Sequence, residues 1–180
     1  MGNIYRGVPP NIALRMKNEY NLPIFVETGT FLGRSSYWAS AVFDKVYTIE
    51  SNYAFYLRAV KELRDCTNVR VFHGFSQTSL DIVLNMFPQP ALIWLDAHWS
   101  KDLQYERFDK VVCPVLDEIE AIARHDCGHA ILIDDLRLFG KMNGWPTAKE
   151  VRHALEDIGK TVTYETDVFV ATPKNGKIIA

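Results

Sequence analysis

Glu27-Thr28-Gly29-Thr30-Phe31-Leu32-Gly33 and, one apolar run later, Glu50 are the residues whose types and spacing point most directly to chemistry. A short apolar run, residues 24–26, breaks into the pattern Glu-x-Gly-x-x-x-Gly. A second run, residues 45–49, ends on Glu50 about 20 residues after the glycine turn. Glycine lets a backbone approach a ligand closely, and a carboxylate ending the second strand can take both hydroxyls of a ribose. The dinucleotide fingerprint G-x-G-x-x-G laid over Gly29 would need glycines where Glu27 and Leu32 stand. This turn is therefore not built to cradle a pyrophosphate. An acid at position 27 instead suits a cationic group, such as the amino group of an amino-acid tail. Adenosine at one end and a cationic amino acid at the other describe S-adenosylmethionine. The glycines also suit a plain tight strand-to-helix connection.

Further along, apolar runs end on Asp96 and on Asp134-Asp135. Three carboxylates on adjacent strand ends can supply oxygen ligands to a hard cation such as magnesium, leaving room for water and a substrate hydroxyl. The same acids could instead cap the next turn or accept backbone amides. His98 is a candidate general base, and Lys101 a weaker one on the same stretch. Phe75 could pack on an adenine face, with Ser76 beside it.

These residues need strands to carry them, and the chain alternates strand-like runs with segments of helical period. A leading helix spans 11–20, and strands are predicted at 24–26, 45–49, 69–73, 91–95 and 130–133. Between 51 and 65, Tyr53, Tyr56, Leu57, Val60 and Leu63 mark one buried helical face. A helix carrying Leu80, Val83, Leu84 and Phe87 stops at Pro88. Pro114 opens another, with Asp117 and Glu118 near its positive end. Thr147-Ala148-Lys149-Glu150 is a capping box, and strands at 161–166 and 168–172 pair antiparallel at one edge. The polar stretch 98–110 is long for a plain connection and is a candidate lid or substrate loop. The expected fold is α/β: a doubly wound, mostly parallel seven-stranded sheet with helices on both faces. Residues 1–180 form a single domain, with 1–21 a leading helical segment. In such a sheet, ligands bind outside the carboxyl ends of the strands, where the acids fall.

With 180 residues, 48% of them hydrophobic, and a net charge of -2, the chain reads as one globular domain with no basic surplus for nucleic acid. The first residues lack the apolar core of a secretory signal, and no run approaches a membrane span. Cys66, Cys113 and Cys127 are far apart and contain no C-x-x-C pair, so reduced thiols in the cytoplasm are expected. A homodimer is compatible with this composition.

From about residue 23 to 173 the chain resembles a class I S-adenosylmethionine-dependent methyltransferase. Glu27 to Gly33 match the family's first motif, which contacts the methionine end of the cofactor. Glu50, followed by Ser51, matches the acid that holds the ribose; Phe75 and Ser76 fall at the adenine contacts and Asp96 near the methyl group. Val26-Thr30, Trp94-His98 and Ile133-Phe139 are similar to a V-E-T-G-T, W-L-D-x-H, I-D-D-x-R-x-F signature of small members. Asp96, Asp134 and Asp135 resemble the metal set of magnesium-dependent O-methyltransferases such as catechol O-methyltransferase and macrolide-sugar methyltransferases, with Asp135 where the catechol enzyme has Asn. Asp96 to Lys101 resembles the catechol enzyme's Asp-His-Trp-Lys loop, with extra residues here. The resemblance implies methyl transfer from S-adenosylmethionine to an oxygen of a small molecule or sugar, with Mg2+ assisting. The alternatives are a metal-dependent hydroxylase-like enzyme on the same fold and a non-catalytic S-adenosylmethionine-binding subunit.

Overall fold

Apolar runs with no polar alternation belong in strands covered on both faces, and the computed structural model places them there. It describes residues 7–98, 111–125 and 127–174. The strands are β1 (Ile24–Thr28), β2 (Lys45–Glu50), β3 (Val69–His73), β4 (Ala91–Leu95), β5 (Ala130–Ile133), β6 (Lys160–Glu165) and β7 (Val168–Pro173). Between them run α1 (Pro10–Tyr20), α2 (Arg34–Ser40), α3 (Tyr53–Glu62), α4 (Ser76–Leu84), α5 (Val115–Arg124) and α6 (Ala148–Asp157). The seven strands form one sheet in the order β3-β2-β1-β4-β5-β7-β6. β1 to β5 are parallel, and β7 inserts antiparallel between β5 and β6. The chain leaves β1 toward β2 and β3, then returns to lay β4 on β1's other side. That reversal opens the crevice between β1 and β4 where ligands bind in such sheets.

Each central strand divides its side chains between two cores. Ile24, Val26, Ile93, Leu95, Ile131 and Ile133 face α4, α5 and α6, through Leu80, Ile119, Ile122, Val151 and Leu155. Phe25, Leu92, Trp94 and Leu132 face α1 and α2, through Ile12, Met16 and Ala39. Fully burying one such aliphatic side chain contributes about 1.5–3 kcal/mol. His129 joins two elements: its Nδ1 accepts from the Ala91 amide at 3.0 Å, so its Nε2, 3.0 Å from the His125 carbonyl, carries the hydrogen. The capping box forms, with Thr147 and Glu150 satisfying each other's amides.

Two local differences from the sequence reading matter. β1 runs on to Thr28, past the apolar run, which fixes the faces of Glu27 and Thr28. The helix after β2 does not bury its aromatic and branched face: Tyr53, Leu57 and Val60 are exposed, and Ala59 and Leu63 are the buried residues. α3 lies against β2 and the edge strand β3, whose own residues are only partly covered, so little sheet remains for large side chains to cover. Tyr53 and Tyr56 pack around His73 instead, each ring 5.2 Å from the imidazole. No helix among the described residues is long and apolar enough to cross a membrane.

Candidate active site

Side-chain alternation along β1 sends Glu27 toward α2 and Thr28 to the opposite face, toward α5. Glu27 is buried, and its Oε2 accepts from Ser36 Oγ at 2.5 Å and from Thr48 Oγ1 at 2.8 Å. Because Thr48 donates to Glu27, the 2.6 Å contact between Thr30 and Thr48 has Thr30 as donor. Burial pushes the Glu27 carboxyl up to about 7 against the pull of these hydroxyls. The acid expected to meet a ligand cation is thus seated among hydroxyls of its own chain.

The turn after β1 has Gly29 at φ +83 and Gly33 at φ +72, with Phe31 also left-handed at φ +47. A Cβ on Gly29 would lie 2.5 Å from the Asp96 carbonyl oxygen. The close approach that demands glycine is therefore between the ends of β1 and β4. The amides of Gly29 and Thr30 both donate to the Ile49 carbonyl, tying the turn to β2. Glu50 completes the tie: Oε2 accepts from the Phe31 amide and Oε1 from the Asn52 amide, each at 2.8 Å. Burial raises its carboxyl while the amides of Asn52, Phe31 and Ser51 oppose the shift. Ser51 is exposed, and its carbonyl accepts from His73 Nε2 at 3.2 Å. Phe75 stands partly exposed at the N-cap of α4, and Ser76 is buried in its first turn.

Across the crevice the acids cluster. His98 places Nδ1 3.7 Å from Asp96 Oδ1 and Nε2 3.4 Å from Asp135 Oδ2. Asp96 is raised well above the ordinary carboxylate range, first by burial and then by Asp134 and Asp135. Burial lowers His98 to about 4, and burial with repulsion from Asp135 raises Asp134 to about 6. Ligand atoms of Asp96, His98 and Asp135 lie within 4.8 Å of one another, as do those of Asp134, Asp135 and Asp167. The second group already holds a cation: Arg137 Nη1 donates to Asp135 Oδ1 at 2.7 Å and to Asp167 Oδ2. Asp135 Oδ2 is buried without a hydrogen-bond partner. That orphan oxygen, with a carboxylate and an imidazole facing it, fits a divalent cation on the His98 side. His98 thus stands in the compact set beside Asp96 and Asp135, while Asp134, whose Oδ1 accepts the Asp135 amide at 2.7 Å, groups on the Arg137 side. Lys101 and nearly all of the 98–110 stretch lie outside the described residues.

Three participants went unassigned in the sequence. Arg137 and Asp167 meet only because the β6–β7 turn folds back on the end of β5, where the Arg137 amide also donates to Asp167 Oδ1 at 2.8 Å. Glu118, read as an acid at a helix's positive end, is 1% exposed and pushed up to about 7 by burial, with Ser76 and Thr28 opposing. Its signal was present: it interrupts the apolar stripe of Val115, Ile119 and Ile122.

No family model matches the chain, and no curated protein matches it in sequence. Solved structures do. An O-methyltransferase from Bacillus cereus in complex with SAH superposes with a TM-score of 0.65 at 18% identity, over 92% of this chain and 82% of that one. For an amino pentose methyltransferase from Micromonospora echinaspora with SAM bound, the score is 0.62 at 13% identity, covering 91% and 89%. A precorrin-6y C5,15-methyltransferase from Geobacter metallireducens gives 0.61 at 14%, covering 90% and 87%. With its seven-stranded order and single antiparallel insertion, the chain has the Rossmann-like fold of the class I S-adenosylmethionine-dependent methyltransferases.

Proposed function

We propose that this chain, acting as a single domain, transfers a methyl group from S-adenosylmethionine to an oxygen of a small molecule. The observation that carries the reading is the pairing, across the β1–β4 crevice, of the amide-held Glu50 with the unsatisfied Asp96, His98 and Asp135 group. The first suits the ribose of the cofactor. The second suits the acceptor and a cation, and two of the similar structures hold SAH or SAM. Gly29, Thr30 and Gly33 shape the turn beside the methionine end, and Phe75 and Ser76 border the adenine side. Thr28 and Glu27 buttress the turn from opposite faces of β1.

In the reaction the acceptor oxygen attacks the sulfonium methyl carbon; the new O–CH3 bond forms as the S–CH3 bond breaks. The electron pair returns to sulfur, leaving S-adenosylhomocysteine, and the hydroxyl proton leaves to a base. His98, lowered by burial and so neutral at pH 7, is the base within the described residues. Asp96 and Asp135 would hold Mg2+ with His98 adjacent, and the bound cation would lower the acceptor hydroxyl's pKa. Holding both reactants in line supplies most of the remaining rate. Incubation with S-adenosylmethionine and a small-molecule alcohol and phenol library, read by mass spectrometry, tests this. A product heavier by one methylene, suppressed by EDTA, supports it; absence of any methylated product refutes it.

The imidazole in the compact set favours one second reading, an iron-dependent hydroxylase-like enzyme, since imidazole with carboxylates suits iron. Iron-dependent turnover without S-adenosylhomocysteine release would mark it. The cysteines form no disulfide and the acceptor reading needs no membrane, so we place the protein in the cytoplasm.

A further inference from the structure

Beside Asp96 a small depression, open to solvent, lies between the end of β4 and the start of α5. Asp96, Asp134 and Glu118 contribute carboxylates to its lining beside the His98 imidazole, and no Lys or Arg among the described residues lines it. Phe139 and Trp145 form an aromatic wall, their ring centroids 5.0 Å apart, and Trp145 stands 5.1 Å from His98. Glu118 belongs to neither group of cation ligands, yet its Oε1 has no hydrogen-bond partner at 1% exposure. Thr28 Oγ1, equally buried, faces it from β1 and together with Ser76 opposes the rise of its carboxyl, but stands outside hydrogen-bonding geometry to Oε1. A buried carboxylate oxygen without a donor costs free energy until one arrives.

From this geometry we infer that the depression receives a cationic amine of the methyl acceptor, bound to Glu118 and flanked by Phe139 and Trp145. The inference rests on the methyl-transfer reading and names its substrate class: an amino alcohol whose hydroxyl sits at Asp96 and His98. A neutral hydroxyl would satisfy Oε1 alone, whereas burial disfavours the ionised carboxylate until a cation pairs with it. An ammonium satisfies both, and aromatic faces attract it further. The room beside Glu118 admits little more than one small group, so the amine is a terminal group of the acceptor, whose remainder lies toward solvent.

The test compares two probes that differ only in amine against hydroxyl, 2-amino-1-phenylethanol and 1-phenylethane-1,2-diol. Each is titrated calorimetrically into the wild-type protein and Glu118→Gln, with and without S-adenosylhomocysteine. The expected result is that the amine binds wild type at least about tenfold more tightly than the diol, with the preference falling to within about twofold in Glu118→Gln. Equal affinities, no binding of either probe at millimolar concentration, or a preference that survives Glu118→Gln each overturn the inference. The wild-type comparison stands even if the variant does not fold. Failure of the methyl-transfer reading shows separately, as absent S-adenosylhomocysteine binding, while the amine preference is still read without it.

Discussion

At the carboxyl ends of β1 and β2, Glu27 and Glu50 are met by hydroxyls and amides of their own chain. Across the crevice, Asp135 keeps one buried oxygen without a partner, and so does Glu118. Residue type and burial are nearly the same on the two sides, and Glu27, Glu50 and Asp135 all stand at or just beyond strand ends, with Glu118 on α5. What differs is who supplies the donors. On the β1–β2 side the protein does, and the turn is set before any ligand arrives, which lowers the ordering cost of binding. On the β4–β5 side Arg137 matches one oxygen of Asp135, and the other faces only His98 Nε2, 3.4 Å away and outside hydrogen-bonding geometry. Carboxylates of the first kind hold shape; those of the second are available for chemistry.

The sharpest way to break this contrast is to remove charge on the unsatisfied side. Asp96→Asn and Asp135→Asn are expected to lower kcat/KM by about a hundredfold or more while S-adenosylhomocysteine affinity changes by less than about threefold. Equal loss from Glu27→Gln would erase the distinction. Arg137→Ala leaves Asp135 and Asp167 buried without their cation and should cost about 3 kcal/mol, read as a lower denaturant midpoint, with divalent-cation affinity measured alongside. Gly29→Ala tests the contact joining the two sides. Its left-handed φ and a Cβ 2.5 Å from the Asp96 oxygen should cost about 1–3 kcal/mol in strain and weaken cofactor binding with it.

Glu27, whose charge also helps to raise Asp96, adds a pH test on the turn side of the crevice. Its carboxyl rises from 4.5 to about 7 on folding, so its contribution is fully present below about pH 4.5 and is lost as pH rises through about 7. The loss amounts to about 3 kcal/mol. Melting of the protein should fall between pH 5 and pH 8, and Glu27→Gln should flatten that fall; an unchanged slope in the variant contradicts the assignment. Thr147→Ala, at the α6 capping box, is the smallest effect: about 1 kcal/mol of stability and no change in cofactor affinity.

β1, β2, β4 and β5 could be read from their apolar runs because burial on both faces leaves a signature within a few consecutive residues. The acids ending those runs could be read for the same reason. The apolar period of α3 misled, because periodicity reports a capacity for burial and not the presence of something to bury against, and β3 is an edge. Glu27's inward seat was hidden by the two residues β1 adds beyond its apolar run. Arg137 and Asp167 are 30 residues apart, and their meeting depends on β7 pairing with β5, which local pattern does not carry. Glu118 was within reach, as an acid inside the apolar face of α5.

The most direct test of the account is calorimetric titration of S-adenosylhomocysteine into the purified protein, first with Mg2+ and then with EDTA. Micromolar binding is expected in both, with an added magnesium-dependent heat that disappears in Asp135→Asn. Absence of binding under either condition would contradict it and assign the crevice between β1 and β4 to a different ligand.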